Sequence, residues 1–245
     1  MRIKNIFAAV LLAGICTSAS AQFATQTSAS APTATNTPSE GWSSFYVQYN
    51  PSTFAADKGD DFDFKGFSVG FNKAFGISQS SPLFLEVGAA LQYSWYSESD
   101  DYYYEDYYDY HEFEVEEKVN LFTLKVPVNL TYVFNLPNSN ISIAPYAGIN
   151  LRYNLSGKWN LSCDDADIDE DFDVFDKDDM EDDDFTWNRF QMGWQIGVNV
   201  NFHKAYLGLS YGGDFTKTVK YMDGLTGSGK DYKMKTTSIT LGYKF

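Results

Sequence analysis

The residues of this 245-residue chain best suited to acid–base chemistry are its two histidines, His111 and His203. His111 stands among carboxylates, and a histidine beside an aspartate or glutamate is the usual general base of a hydrolase. The two histidines belong to segments that we place at opposite ends of the fold, so they do not form one site. We therefore expect His111 to be a solvated loop residue and the protein not to be an enzyme.

A second candidate site is segment 164–184, which contains fourteen carboxylates and one lysine. Five aspartates recur at every second position, so an extended chain presents them on one side: Asp165, Asp167, Asp169, Asp171 and Asp173. A hand-type Ca²⁺ loop requires glycine at its sixth position, where this segment has Glu170. We expect weak binding of divalent cations rather than a built metal site, and no cofactor. The alternative is a solvated segment whose charges repel one another.

Segment 102–110 alternates tyrosines with carboxylates, a composition that suits adaptable binding of proteins or glycans. The formal net charge of the chain is −15. This negative charge has the wrong sign for a phosphate backbone, so nucleic acid is excluded as a partner.

The elements that position these segments are predicted to be β-strands, because apolar residues recur at every second position through most of the chain. The period of two predicts eight strands, at 42–50, 66–75, 83–95, 120–134, 141–155, 190–202, 207–215 and 237–245. In the fourth, the apolar positions change from odd to even, which predicts a β-bulge near Phe122 and Thr123. Connections are long after the odd-numbered strands and short after the even-numbered ones.

Four charged residues share the polar face of these strands: Glu86, Lys125, Arg152 and Lys244. If the strands close into a barrel with its apolar face outward, these charges lie in the interior. Eight strands leave an interior that side chains just fill, so an internal salt-bridge network is favoured over a pore lining. Lys73 and Lys235 fall at positions of the apolar face, near its two rims. There a lysine side chain can extend to the membrane interface at little cost in free energy.

The N-terminus has the pattern of a secretory signal peptide over residues 1–21: Arg2 and Lys4, an apolar stretch, and Ala19-Ser20-Ala21. We predict cleavage between Ala21 and Gln22. Lipidation at Cys16 is disfavoured, because the bulky Ile15 precedes it. Residues 22–41 are rich in Ala, Thr, Ser and Pro and predict a flexible periplasmic segment. Cys163 is then the only thiol, and we expect it to face outward at the base of the third long loop.

An exported chain without a long apolar run crosses a membrane only as a closed barrel. We predict an all-β fold over 42–245, an eight-stranded antiparallel up-and-down transmembrane β-barrel with long acidic extracellular loops. The alternative is a soluble lipocalin-like barrel, in which the apolar face points inward. The signal peptide and the aromatic residues at the strand ends favour the membrane barrel.

The final strand, with apolar Ile239, Leu241, Tyr243 and Phe245 on one face, resembles the C-terminal assembly signal of outer-membrane β-barrels. Segments 124–134 (LKVPVNLTYVF) and 144–148 (APYAG), with Gly193 and Gly197 in the sixth strand, resemble the outer-membrane β-barrel domain family of Gram-negative bacteria, small OmpX- and porin-like proteins. Val126-Pro127 stands where the family has Ile-Pro. The resemblance implies a location in the outer membrane more than an activity.

Three functions are compatible with these features. We favour a non-enzymatic structural or surface-interaction barrel whose acidic, tyrosine-rich loops bind divalent cations weakly. A narrow porin or a carrier of small solutes is the alternative, and a hydrolase at the outer rim is less favoured. The expected partners are outer-membrane lipid and lipopolysaccharide, the barrel-assembly machinery, and cations or surface ligands at the loops. We expect a monomer.

Overall fold

The strands of this protein form where apolar and small polar residues alternate, because each face of the sheet then meets one kind of environment. The computed structural model describes residues 41–56, 61–78, 81–105, 110–163, 168–176, 185–221 and 231–245. The signal peptide, its cleavage site at Ala21 and Gln22, and residues 22–40 lie outside this part of the chain, so those expectations stay predictions. Within the described parts, no helix has the length and hydropathy needed to cross a bilayer.

The described residues contain thirteen strands. They are β1 (Ser43–Tyr49), β2 (Ser52–Ala56), β3 (Phe62–Ser78), β4 (Ser81–Glu105), β5 (Tyr110–Tyr132), β6 (Phe134–Asn135), β7 (Ile141–Cys163), β8 (Ile168–Asp173), β9 (Phe185–Trp187), β10 (Phe190–Phe202), β11 (Ala205–Asp214), β12 (Val219–Tyr221) and β13 (Asp231–Lys244).

Eight strands form an antiparallel ring in the order β1-β3-β4-β5-β7-β10-β11-β13, and β13 pairs with β1 to close it. The predicted all-β barrel is confirmed. The closing register places Phe45 opposite Tyr243 and Tyr49 opposite Ile239. Beyond the last strand residue, the backbone N–H of Phe245 donates to the carbonyl of Ser43 at 2.8 Å, and the N–H of Ser43 donates back at 3.1 Å. Phe245 therefore extends the seam between β13 and β1.

The outer wall is apolar and the interior is polar. On β3, Val69 is 58% exposed whereas Ser68 beside it is 2% exposed. The four residues of the predicted assembly signal point outward and are about half exposed: Ile239, Leu241, Tyr243 and Phe245. This arrangement is the inverse of a soluble barrel and suits a hydrocarbon surrounding.

Aromatic side chains ring the wall near both ends. At the end with the long strands, the ring of Tyr49 lies 5.1 Å from that of Phe67, and Trp95 stacks at 5.9 Å from Phe67. At the other end, where β1 begins and β13 ends, the ring of Phe45 stacks on that of Phe245 with centroids 5.4 Å apart. Such belts mark the two interfaces of a membrane.

The connections at the two ends differ in length. At one end His203 occupies a two-residue turn with a φ of 55°, which confirms the predicted short turn between β10 and β11. At the other end β4 and β5 continue as a paired ribbon as far as Glu105 and Tyr110. His111 lies in this ribbon, on a strand rather than in the loop that we expected.

The irregularity expected near Phe122 and Thr123 is present, but its cause differs from the prediction. Phe122 pairs with Ser156 and Thr123 with Asn154, so the extra residue is Leu155 on β7. Odd-numbered residues of β5 face inward on both sides of this point. The change in apolar pattern has another origin, since the inward face itself turns from polar to apolar near the outer end.

The bulge in β7 corrects a second expectation. Even-numbered residues of β7 such as Arg152 and Asn154 face inward before the bulge, and odd-numbered ones such as Gly157 and Cys163 are buried after it. Cys163 is a free thiol but is only 5% exposed. The prediction that it faces outward is wrong, because the inserted Leu155 reverses the faces of the strand.

Candidate functional site in the barrel lumen

The lumen contains the charges that the sequence placed there. Glu86, Lys125 and Arg152 are each 5% exposed. They come from β4, β5 and β7, at positions whose side chains face the lumen. Lys244 lies nearer the chain end and is half-buried. The four residues do not form one network, because two of them have other partners.

Arg152 pairs with Asp214, a residue that the sequence analysis did not single out. The guanidinium donates to both carboxylate oxygens of Asp214, and both side chains are about 5% exposed or less. Asp214 also accepts from Thr218 Oγ1 at 3.0 Å and from the backbone N–H of Met234 at 3.4 Å. These additional donors saturate the carboxylate, which a buried ion pair requires. Asp214 is an even-numbered residue of β11, like the inward-facing Tyr206 and Ser210. This alternation is the sequence signal that could have identified it as an interior residue.

Lys125 lies in the middle of the lumen without a carboxylate partner among the described residues. Its Nζ donates to Gln48 Oε1 at 3.2 Å, and Gln48 Nε2 donates to Thr240 Oγ1 at 2.8 Å. Lys125 therefore belongs to a polar network rather than to a salt bridge.

Two small cavities flank Lys125. One, of about 20 Å³, lies between Lys125 and Arg152, and the other, of about 30 Å³, is lined by Tyr46 and Tyr146. Each lies next to an amide oxygen without a protein partner, Asn150 Oδ1 in the first and Asn72 Oδ1 in the second. A cavity of this size holds about one water molecule. The space suits hydration of the lysine, not passage of a solute.

A layer of tyrosines closes the lumen below Lys125. Tyr46, Tyr146 and Tyr206 each lie across a glycine directly opposite on the neighbouring strand: Gly70, Gly197 and Gly242 respectively. A Cβ added at these glycines would stand 2.4, 2.5 and 2.1 Å from the Cζ atom of the facing ring. The glycines thus make room for three rings in an eight-stranded interior.

The end of the lumen where β1 begins and β13 ends is filled by aromatic and cationic groups. Trp42 packs against Phe84 with ring centroids 4.5 Å apart, and Phe84 is only 1% exposed. Lys244 Nζ lies 4.2 Å from the centroid of the Trp42 ring. A cation over the face of an indole is attracted by the ring quadrupole. Lys244 therefore closes this mouth instead of lining an opening.

The opposite mouth is covered by an apolar cluster that we call the outer cap. Its buried members are Phe54, Phe64, Tyr96, Val119, Leu121, Val174 and Met234. Val174 and Phe175 follow β8 and turn back over Gly157, where an added Cβ would be 2.5 Å from each of their side chains. The guanidinium of Arg189 covers the ring of Phe175 at 4.4 Å.

The acidic segment is more ordered than expected in the part that the structure describes. Asp169, Asp171 and Asp173 lie on β8, which pairs with β7, and share its outward face as the alternation predicted. Asn160 Nδ2 donates to Asp169 at 2.9 Å and to Asp171 at 3.1 Å. Asp165 and Asp167 lie outside the described residues. Among those that are described, no three His, Cys, Asp or Glu side chains are arranged to hold a metal ion.

A further acidic cluster lies on the β4–β5 ribbon, beyond the wall. Glu98 is directly opposite Glu117, and the hydroxyl of Tyr96 donates to Glu98. Burial raises the pKa of Glu117, and the charges of Glu98 and Asp100 raise it further. The like charges are therefore held together by the ribbon at some electrostatic cost.

Sequence comparison identifies the architecture. The chain matches the outer membrane protein beta-barrel domain family over residues 7–245. It belongs to that family. Membership, together with the apolar wall and the aromatic belts, places the protein in the outer membrane of a Gram-negative bacterium. No curated protein matches the chain.

Solved structures of other outer-membrane barrels are similar in fold. Ail, the attachment invasion locus protein of Yersinia pestis, is 14% identical with a TM-score of 0.43, over 84% of this chain and 99% of that one. Neisserial surface protein A is 14% identical at a TM-score of 0.39, over 83% and 97% of the two chains. The outer membrane enzyme PagL is 11% identical at 0.39, over 80% and 98%. Sequence identities and TM-scores this low carry no information on the activity of this protein.

Proposed function

We propose that this member of the outer membrane β-barrel family is a non-enzymatic, non-conducting surface barrel whose extracellular ribbons are its interaction surface. The observation that carries the proposal is the filling of the lumen at three levels. The Trp42–Phe84 pair blocks one mouth, the tyrosines and Lys125 fill the middle, and the outer cap covers the other mouth.

The extracellular ribbons support the second half of the proposal. β8 carries exposed Asp169, Asp171 and Asp173 on one face, and the β4–β5 ribbon carries the cluster around Glu117. Divalent cations reduce repulsion between neighbouring carboxylates, so Ca²⁺ binds these surfaces weakly and at several equivalents. Ligands that reach the cell surface meet these ribbons first.

A proteoliposome swelling assay tests the closed lumen. Vesicles with the purified protein swell no faster in isotonic arabinose or glycine than vesicles without protein. Swelling at the rate of a porin would favour the alternative of a narrow porin and refute the proposal. Removing the blocking side chain Phe84 by Phe84→Ala supplies the matched variant, which stays closed because the tyrosine layer remains.

Calorimetry tests the cation-binding part separately. The protein in detergent gives a heat of Ca²⁺ binding at low ionic strength, and the triple variant Asp169→Asn, Asp171→Asn, Asp173→Asn gives less. The matched control is Asp63→Asn, which changes an exposed carboxylate on β3, away from β8. Equal heats for the triple variant and the unchanged protein would contradict cation binding at β8.

A further inference from the structure

Three lysines face outward on one side of the barrel, just beyond the apolar band. Lys65 precedes the outward apolar positions of β3, and Lys233 and Lys235 precede those of β13; all three are exposed. Lys235 lies opposite Thr53 of β2, and Thr53 lies opposite Asp63 of β3. Strand spacings of about 4.8 Å and rises of about 3.4 Å per residue then separate the Cα atoms of Lys235 and Lys65 by about 12 Å. Long side chains on both reach a common ligand.

Aromatic side chains adjoin this lysine cluster. Gly213 of β11 is directly opposite Lys235, and the indole of Trp194 lies about 3.4 Å from where a Cβ of Gly213 would stand. Trp194 contacts Tyr211 edge-on, with centroids 5.8 Å apart. Because Gly213 has no side chain, the flank of Lys235 opens directly onto these rings.

The surroundings of the lysine cluster differ from those of the outward lysines on the far side of the barrel. No salt bridge to Lys65, Lys233 or Lys235 is present among the described residues, although the chain has a net charge of −15. Asp63, between them, is engaged by the Thr53 hydroxyl at 2.7 Å. On the far side of the barrel the outward lysines have acidic neighbours: Lys118 pairs with Glu116 at 2.6 Å, and Lys158 lies opposite Asp173.

We propose that Lys65, Lys233 and Lys235 bind the phosphate groups of an outer-leaflet lipopolysaccharide molecule, with Trp194 and Tyr211 against its sugar rings. The depth of the cluster selects this occupant, since it begins where the apolar band ends and the headgroup region begins. Ammonium groups attract phosphate, and aromatic faces pack against the apolar faces of sugars. This site is on the outer wall and is independent of whether the lumen conducts.

Lipid A binding to the protein in detergent, measured by native mass spectrometry, tests the site. The probes are bisphosphorylated lipid A and the same lipid without phosphates. We expect the unchanged protein to prefer the bisphosphorylated form, and the variant Lys65→Gln, Lys233→Gln, Lys235→Gln to bind it roughly fivefold more weakly for each lysine removed. The matched control Lys118→Gln, Lys158→Gln removes two outward lysines from the other side and keeps its affinity.

Several results would overturn the site. They are equal binding of the two lipids by the unchanged protein, unaltered binding by the triple variant, and an equal loss in the control. A measurement without any variant covers the case in which the triple variant fails to fold. Binding by the unchanged protein falls as salt rises if phosphate contacts carry it, and salt-independent binding contradicts the proposal.

Discussion

The phenol ring of Tyr206 lies across Gly242, so closely that a Cβ on residue 242 would be 2.1 Å from the ring carbon Cζ. The two residues are directly opposite each other on β11 and β13, next to the closing seam. Covering a strand glycine with an aromatic ring protects its backbone and fixes the register. The narrow interior of eight strands holds the ring only because residue 242 has no side chain.

We therefore predict that Gly242→Ala destabilises the barrel by about 1–3 kcal/mol, the usual cost of overpacking. Urea unfolding in lipid vesicles measures it. Gly213→Ala is the matched control, because its Cβ meets the nearest atom at an ordinary 3.4 Å. We expect the control to change stability by less than about 0.5 kcal/mol. Equal stability of the two variants would show that the ring moves aside freely.

The Arg152–Asp214 pair gives a second prediction. Arg152→Met alone leaves a buried carboxylate without its cation, and we expect a loss of about 3–5 kcal/mol. The double variant Arg152→Met, Asp214→Leu removes both charges and loses less than either single variant. Unfolding free energies for the three variants form a double-mutant cycle. Additive losses would mean that the two charges are not coupled.

Asp214 also shows where sequence reasoning reached its limit. The alternation of apolar and polar residues alone identified Glu86, Lys125 and Arg152 as inward-facing, because this alternation is strict within the wall. The pairing between them was not available, since it depends on which strands are neighbours and on their stagger. Asp214 had the correct parity but stands at the end of its strand, where a loop residue is equally expected.

The region beyond the wall was the least predictable. The apolar residues Val119 and Leu121 face inward like the polar Lys125, because the outer mouth is filled by a hydrophobic cap. An alternation of apolar residues does not tell whether they face lipid or a covered mouth. The bulge at Leu155, which buries Cys163, likewise depends on pairing with β5.

The carboxylate of Glu117 gives a pH-dependent prediction. Its pKa is raised by burial and by the charges of Glu98 and Asp100, so the folded ribbon binds this proton more tightly than the unfolded ribbon. Stability from this group is present at low pH and is lost as pH rises through the folded pKa. We expect Glu117→Gln to slow amide hydrogen exchange in β4 and β5 at neutral pH.

Exchange measured across the acidic range checks the sign. The unchanged protein exchanges faster in the ribbon, relative to the intrinsic rate, as pH rises, and Glu117→Gln weakens that trend. Glu170→Gln, at an exposed carboxylate on β8, is the control and leaves the β4–β5 ribbon unchanged. Faster exchange in Glu117→Gln at neutral pH would reverse the sign and contradict the account.

Phe245 ties the last strand to the first through two backbone hydrogen bonds and stacks on Phe45. Deleting it removes both bonds and the ring contact, so we predict loss of the heat-modifiable gel migration that marks a folded barrel. Phe245→Tyr keeps the backbone bonds and the stacking and is the matched control. Normal migration of the deleted protein would show that the seam closes without this residue.

Single-channel recording in planar bilayers tests the closed lumen most directly. The lumen is filled by Trp42 and Phe84, by the tyrosines around Lys125, and by the outer cap, and its cavities beside Lys125 are about 20 and 30 Å³. We predict that folded, heat-modifiable protein inserts without discrete conductance steps in 1 M KCl. At this ionic strength the Debye length is about 3 Å, so electrostatic barriers to ion passage are screened. Reproducible ohmic steps from the same preparation, absent from unfolded protein, would contradict the account.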